Sequence, residues 1–357
     1  MKVVQVLPTI SYGDAVSNDA IALKKVIKGL GYDTEIYAEN IDKRLERKMA
    51  VHISVMPEMN KRDVIIYHNS TGTDISFSLP KWNGRKMMIY HNITPPEFFM
   101  SYNMNAAALT EYGLDGTKYL SDKVEYCLAD SEFNKQDLLR MGYKCPIDVR
   151  PILIPFDDYK KKPNHDIIAK YNDDWTNIIF VGRIAPNKKH EDIIKSFYIY
   201  KRKIKQKSRL FLVGSYVGME NYYKKLKLYV RALGLEDVYF TGHIKFNEIL
   251  AYYKLADVFL CMSEHEGYCV PLVESMIFKV PIIAYESCAV PDTLGQSGVI
   301  LKDKNPAFAA GTIDRLVRDE GLRMYINEKQ KERLDDFSYE NVKNIFVRNL
   351  DDFINGV

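Results

Sequence analysis

Cysteine is scarce in this 357-residue chain: five residues, at 127, 145, 261, 269 and 288, with no CxxC pair. A disulfide framework or zinc ribbon needs closely spaced cysteines. The thiols therefore read as reduced and the compartment as cytoplasmic. Long apolar runs are missing too. Nothing approaches the ~18 apolar residues of a membrane-spanning helix. The opening MKVVQVLPTI reads as a first β-strand, since its apolar region is too short for a signal peptide and lacks a cleavage-like site. Charge of one sign is also lacking. Fifty Lys and Arg against 47 Asp and Glu leave +3, which makes no case for nucleic acid. No GxxxxGK[ST] and no HExxH occurs. LVGSYVGME (212–220) has its two glycines at the wrong spacing for a dinucleotide fingerprint. A P-loop, a zincin centre and a NAD-dependent dehydrogenase all lose support.

What is present is an alternation of short apolar runs and helical patterns. The runs predict strands at 2–8, 33–38, 63–69, 86–92, 126–131 and 149–154. A second set follows at 177–182, 209–214, 238–242, 258–263, 281–285 and 298–301. Continuous apolar strands are those of parallel sheets covered on both faces. Between the first two runs, VSNDAIALKKVIKGLG has helical spacing and ends on Gly31, which suits a helix stop. Helices are also expected at 188–204 and 219–233. The charged, proline-containing PFDDYKKKPNHD (155–166) has the composition of a linker. Beyond 305 the pattern is helical to the end. The expected architecture is α/β, two Rossmann-like doubly wound domains facing each other across a cleft, covering 1–157 and 166–338. A C-terminal helix at 339–357 is expected to pack back on the first domain. In such sheets ligands bind past the carboxyl ends of strands, near helix N-termini.

Two loops fit that position. In FVGRIAPNKKH (180–190), Arg183 and Lys188 lie between a strand and a helix. A rigid guanidinium fork, a compact ammonium and a helix N-terminus suit a diphosphate. In SEHEGYCVPLVESM (263–276), Pro271 suits the first turn of a helix. Glu266 falls in the preceding loop and Glu274 in the first turn. Gly267 permits close backbone approach. Carboxylates accept hydrogen bonds from vicinal hydroxyls, which sugars and ribose offer. Glu264, outside this spacing, reads as solvated. KRKIKQK (201–207) reads as a solvated helix end or as a patch facing acidic head groups. Lys81, Arg85, Lys86 and PPEFFM (95–100) read as ordinary loop or as a membrane-facing region. His68 and His91 each close a strand and lie in no metal-binding spacing.

VGRIAPNKK followed about 80 residues later by EHEGYCVPLVES resembles glycosyltransferase family 4, the retaining GT-B enzymes that use sugar nucleotides. YGDAVSND (12–19), MIYHNITPPEFF (88–99) and CLADSEFNKQDL (127–138) resemble that family's acceptor-side domain, so the likeness covers essentially the whole chain. The resemblance implies that Arg183 and Lys188 hold the donor diphosphate and that Glu266 meets the donor sugar near its anomeric carbon. Gly267, Tyr268, Cys269 and Val270 would bring backbone amides to sugar and phosphate. Glu274 would bind ribose hydroxyls, with Gly214 and Ile244 also on the nucleotide. Gly13, where the family usually has Gly-Gly, would let the first domain close on the donor. His91 would be the catalytic candidate of that domain. Cys269 stands where glycine is commoner. No metal or other cofactor is expected. The implied activity is retaining transfer of a hexose-type sugar from a UDP- or GDP-sugar to a saccharide or lipid-linked acceptor in surface polysaccharide biosynthesis. The implied setting is the cytoplasm, with peripheral contact at the inner membrane face and no nucleic-acid partner. A non-catalytic sugar-nucleotide-binding subunit, a GT-B epimerase and a phosphorylase remain as alternatives.

Overall fold

Buried residues alternate between the two faces of the strands in the first half. In a computed structural model describing residues 1–46 and 48–356, Val64 and Ile66 join one core cluster while Ile65 and Tyr67 join another. Such a sheet must be covered on both sides. It holds β1 (Val3–Ile10), β2 (Ile36–Ile41), β3 (Val51–His52), β4 (Val64–Asn69), β5 (Arg85–Tyr90), β6 (Tyr126–Ala129) and β7 (Ile147–Val149). Among the described residues it is a seven-stranded parallel sheet of order β3-β2-β1-β4-β5-β6-β7. Its helices are α1 (Ala15–Gly29), α2 (Ile75–Ser78), α3 (Met104–Tyr119) and α4 (Glu132–Arg140). Helix α1 starts where the Asp14 carboxylate accepts from the Ser17 amide, and Gly31 follows at φ +87°. The side chains Leu23, Val26 and Ile27 of α1 join the cluster of Val64 and Ile66.

The second sheet holds β8 (Thr176–Val181), β9 (Ser208–Val213), β10 (Val238–Gly242), β11 (Val258–Cys261), β12 (Ile282–Tyr285) and β13 (Val299–Leu301). Among the described residues it is six-stranded and parallel, in the order β10-β9-β8-β11-β12-β13. Around it run α5 (His165–Tyr171), α6 (His190–Lys203), α7 (Glu220–Ala232), α8 (Phe246–Leu255), α9 (Val270–Ile277), α10 (Val290–Leu294), α11 (Pro306–Arg318) and α12 (Glu320–Asp336). Strands β8, β9 and β11 are buried along their whole length, as their unbroken apolar runs require.

The chain divides into two units that do not follow simple halves. One comprises Met1–Glu97, Asn105–Pro155 and Phe337–Val357; the other comprises Phe98–Met104 and Phe156–Asp336. The last helix, α13 (Tyr339–Asn355), belongs to the first unit. Val342, Phe346, Leu350 and Phe353 bury one apolar face of it beside α1 and the first sheet. Residue 357, the end of the expected C-terminal segment, lies outside the described residues.

Several expectations need correcting. The strand expected at 149–154 is short and earlier, 147–149. The Arg150 amide still donates to the Ala129 carbonyl of β6 at 2.8 Å, and beyond it Asp19 takes the Arg150 guanidinium through both oxygens at 2.8 and 2.7 Å and the Leu153 amide at 2.8 Å. The linker composition at 155–166 conceals ordered structure, a 3₁₀ turn at Phe156–Lys160. PPEFFM is not a free apolar tip. Pro96 and Phe99 are buried, and the segment after it is tied down within the second unit. There Asn103 donates to the Gly218 carbonyl at 2.7 Å, and Asn221 to that of Tyr102 at 3.1 Å. Arg85 pairs with Glu125 at 3.1 Å, donates to the Ile354 carbonyl and lies over the Phe353 ring. The basic run 201–207 does take in the carboxyl end of α6, which closes at Lys203, with Lys201 on Asp237 and Lys207 on Asp174. No helix among the described residues is long and apolar enough to cross a membrane.

Candidate functional site

Strand order locates the site of the second unit. Sequence direction across its sheet reverses between β8 and β11, and at such a switch point the loops diverge and leave a crevice at the carboxyl ends of the strands. The loop after β8 carries Arg183 and Lys188, and the loop after β11 carries Glu266. One backbone and one side-chain hydrogen bond hold the two loops together. The Glu264 amide donates to the Asn187 carbonyl at 2.8 Å, and Asn187 Nδ2 to the His265 carbonyl at 3.0 Å.

Lys188 Nζ lies 2.6 Å from Glu266 Oε2. Burial disfavours the Lys188 ammonium, but the Glu266 carboxylate outweighs it and holds the group above its usual range. The lysine therefore stays a cation in a site where charge is poorly screened. Arg183 is exposed in the same loop. Lys189 adopts φ +49° at the start of α6 and pairs with Glu264 at 2.9 Å. Lys304 takes the other Glu264 oxygen at 2.7 Å. Glu264 is thus an ion-paired strut between two lysines rather than a solvated side chain.

Beyond Glu266 the loop narrows into α9. Gly267 and Val270 are half-buried, while Tyr268 and Cys269 are buried. The Tyr268 carbonyl accepts from Thr293 Oγ1 at 2.5 Å, and the Ala289 amide donates to the Glu266 carbonyl at 3.2 Å. Cys269 has φ +69°, a left-handed conformation that favours glycine.

Glu274 already has partners. Tyr159 donates to one carboxylate oxygen at 2.7 Å and Tyr253 to the other at 2.6 Å. Burial raises the Glu274 pKa, and the two hydroxyls offset part of that rise. The tyrosines offer the carboxylate what a ribose diol would offer. Sequence reasoning missed both, Tyr159 because it sits in a linker composition and Tyr253 because it reads as a core position of α8. A typical hydrogen bond is worth about 0.5–1.5 kcal/mol. Tyr159→Phe is expected to free an oxygen and tighten nucleoside diphosphate binding by roughly 2–10-fold, read by titration calorimetry. Weaker binding would show that Tyr159 orients Glu274 rather than competing for it.

Gly214 and Ile244 follow β9 and β10. Ile244 is half-buried. Gly214 has φ +153°, and a Cβ there would lie 2.0 Å from the Gly182 carbonyl oxygen. Its requirement is first a packing one, the close approach of the β8 and β9 loop ends. Gly214→Ala is expected to lower the urea midpoint by an equivalent of about 1–3 kcal/mol. An unchanged midpoint would refute the close approach.

In the first unit, Gly13 is exposed after β1 at φ +75°. His91 is buried, with Nδ1 2.7 Å from Asp130 Oδ2 and Nε2 2.9 Å from His68 Nδ1. His68 Nε2 in turn lies 2.8 Å from Gln5 Oε1, and Gln5 Nε2 donates to the Ala20 carbonyl. These bonds fix the protons. Gln5 Oε1 can only accept, so His68 carries its proton on Nε2 and accepts at Nδ1. His91 then donates from Nε2 to His68 and, with Asp130 ionised, from Nδ1 to Asp130, as an imidazolium. Burial opposes that charge, but Asp130 outweighs it and raises the His91 pKa. Burial and His91 hold His68 well below its usual range. With both nitrogens engaged, His91 would have to give up a partner before it could serve a ligand.

Each unit is a doubly wound parallel sheet, and the whole has the fold of the GT-B glycosyltransferases. Sucrose-phosphate synthase from Thermosynechococcus elongatus superposes with a TM-score of 0.75 at 15% identity, covering 100% of both chains. Anabaena HepE in complex with UDP-glucose superposes with a TM-score of 0.78 at 15% identity, covering 98% of this chain and 100% of that one. Residues 161–333 match the glycosyl transferases group 1 family. That segment, just under half of the chain, contains the Lys188–Glu266 site. An uncharacterized glycosyltransferase of Methanocaldococcus jannaschii is 29% identical over 157 residues, 43% of this chain and 39% of that protein. O-antigen chain mannosyltransferase B of Escherichia coli is 20% identical over 270 residues, 69% of this chain and 70% of that protein. The capsular polysaccharide biosynthesis glycosyltransferase CapM of Staphylococcus aureus is 26% identical over 178 residues, 48% and 45%. The chain thus spans less than half the length of two of these three curated relatives.

Proposed function

We propose that this chain transfers a hexose-type sugar from a nucleoside diphosphate sugar to a hydroxyl of a saccharide or lipid-linked acceptor, with retention at the anomeric carbon. The observation that carries the reading is the Lys188–Glu266 pair at the switch point of the second unit, with Arg183 in the same loop. A leaving diphosphate needs fixed cations at the position where its charge develops. Lys188 supplies one, kept ionised by Glu266, and Arg183 supplies a forked one. Glu266, paired with that cation, accepts from hydroxyls of the sugar. Glu274 accepts from the ribose once a tyrosine hydroxyl leaves it. These cations and helix dipoles would neutralise the diphosphate without a metal ion. The acceptor hydroxyl attacks on the face the diphosphate leaves, and the departing phosphate takes its proton. The sugar–phosphate bond breaks as the new glycosidic bond forms.

Surface-polysaccharide assembly is supported by the names of the O-antigen and capsular relatives. A UDP-sugar is supported by the UDP-glucose complex of HepE, while the mannosyltransferase relative leaves a GDP-sugar equally open. The acceptor belongs to the first unit in this reading, and the chain works in the cytoplasm at the inner membrane face. The test is thermal denaturation with UDP, GDP and their sugars, with and without EDTA. A ligand of the folded state raises the melting temperature by mass action. One base is expected to give a clear shift that EDTA does not remove. No shift with any of them would overturn the donor site.

A further inference from the structure

Directly behind Glu266 lie two thiols. One ligand atom from each of Cys261, Glu266 and Cys269 falls within 4.8 Å of the others, and all three residues are buried. We propose that Cys261, Cys269 and Glu266 form a binding site for a thiophilic divalent cation of the zinc class, and that occupancy of this site silences the Lys188–Glu266 centre.

The donor set fits such an ion. Two thiolates and a carboxylate are zinc ligands at ~2.3 and ~2.0–2.2 Å, and a fourth position stays open to water. Thiolates select against magnesium and calcium. The charges also close. Empty, the site holds the Lys188 ammonium against the Glu266 carboxylate. Filled, a +2 ion replaces two thiol protons, so two protons leave and the site with Lys188 stays neutral. Glu266 gives one oxygen to Lys188 and has a second to offer.

Two backbone features point the same way. Cys261 ends β11, and Cys269 starts α9 with φ +69°. That conformation favours glycine, and the chain keeps a cysteine there, turned toward the other thiol. The remaining histidine-containing group, Asp19, His68 and His91, is a poorer candidate. Its atoms are already bonded to Arg150, Gln5 and Asp130. A second thiol pair, Cys127 and Cys145 with sulfurs 3.6 Å apart, has no third ligand beside it among the described residues.

Binding of the ion does not depend on the donor-site reading, whereas the silencing does. The first experiment therefore measures binding alone, titrating cadmium as a spectroscopic stand-in for zinc. The chain carrying Cys127→Ser, Cys145→Ser and Cys288→Ser is expected to bind one cadmium with a thiolate charge-transfer band. Adding Cys269→Gly, which suits the backbone at that position, is expected to abolish the band while the thermal melt stays cooperative. Adding Cys261→Ser instead is expected to do the same. No band in the triple variant, or a band that survives both further substitutions, would overturn the site. The second experiment adds zinc to the wild-type chain in the presence of a nucleoside diphosphate that shifts its melting temperature. Zinc is expected to suppress that shift, and EDTA to restore it. A nucleotide shift indifferent to zinc would overturn the silencing and leave the metal site standing.

Discussion

Lys188→Ala is expected to reduce kcat/KM for sugar transfer by about 10²–10³-fold, the usual loss when one preorganised group is removed from a developing negative charge. The pairing with Glu266 makes the test sharper than a single rate. Lys188 and Glu266 share one short ion pair, so each deletion damages the other residue's role. Glu266→Ala is expected to fall in the same range, and the double variant to be little worse than the poorer single. Additive losses would mean that the two act on separate steps. Near-normal rates for both single variants at saturating donor would remove the site altogether. Lys188→Arg separates charge from geometry, because a planar fork does not replace a compact ammonium at a 2.6 Å contact. It is expected to fall between wild type and alanine. A melting temperature within a few degrees of wild type, at about 2–4 °C per kcal/mol for a domain of this size, distinguishes lost chemistry from lost fold.

Much of the second unit was legible because its strands are buried on both faces and read as unbroken apolar runs. Strands β8 to β13 fall within a residue or two of the runs, and β10 coincides with its run. The loops carrying Arg183, Lys188 and Glu266 were legible for a related reason. Each follows such a run directly, so topology alone puts them at one sheet edge. What escaped depends on partners distant in sequence. Tyr159 reaches Glu274 across 115 residues and Asp19 reaches Arg150 across 131. Neither spacing leaves a periodic trace. The cysteines appeared scattered for the same reason, yet 127 meets 145 and 261 lies beside 269 in space. Phe98–Met104 joins the second unit while its flanks stay in the first. Its anchors are the Asn103 and Asn221 side chains on backbone carbonyls, and hydrophobic patterning does not register such bonds. Strand β3 is two residues long, too short to show an alternation.

Arg150→Met is expected to be among the most destabilising single changes in the first unit. Arg150 and Asp19 are fully buried and joined by two hydrogen bonds, and removing one partner of such a pair costs about 3–5 kcal/mol. The cost arises from the Asp19 carboxylate left behind, and its sign can be checked with pH. In the wild type burial raises the Asp19 pKa, but Arg150 outweighs burial and holds it below the usual value. Its contribution is therefore present above the unfolded pKa of ~3.9 and lost as pH falls through the folded one. Without Arg150, burial is opposed only by the two histidines and the Leu153 amide, and the folded carboxyl is expected to titrate above its unfolded value. Acid then relieves the variant while it weakens the wild type. The stability gap is expected to be widest near neutral pH and to narrow toward pH ~4. Asp19→Asn on the Arg150→Met background is expected to recover part of the loss at neutral pH, since it removes the orphaned charge. A gap that stays constant across that range, with no recovery in the double variant, would assign the loss to packing around the long side chain.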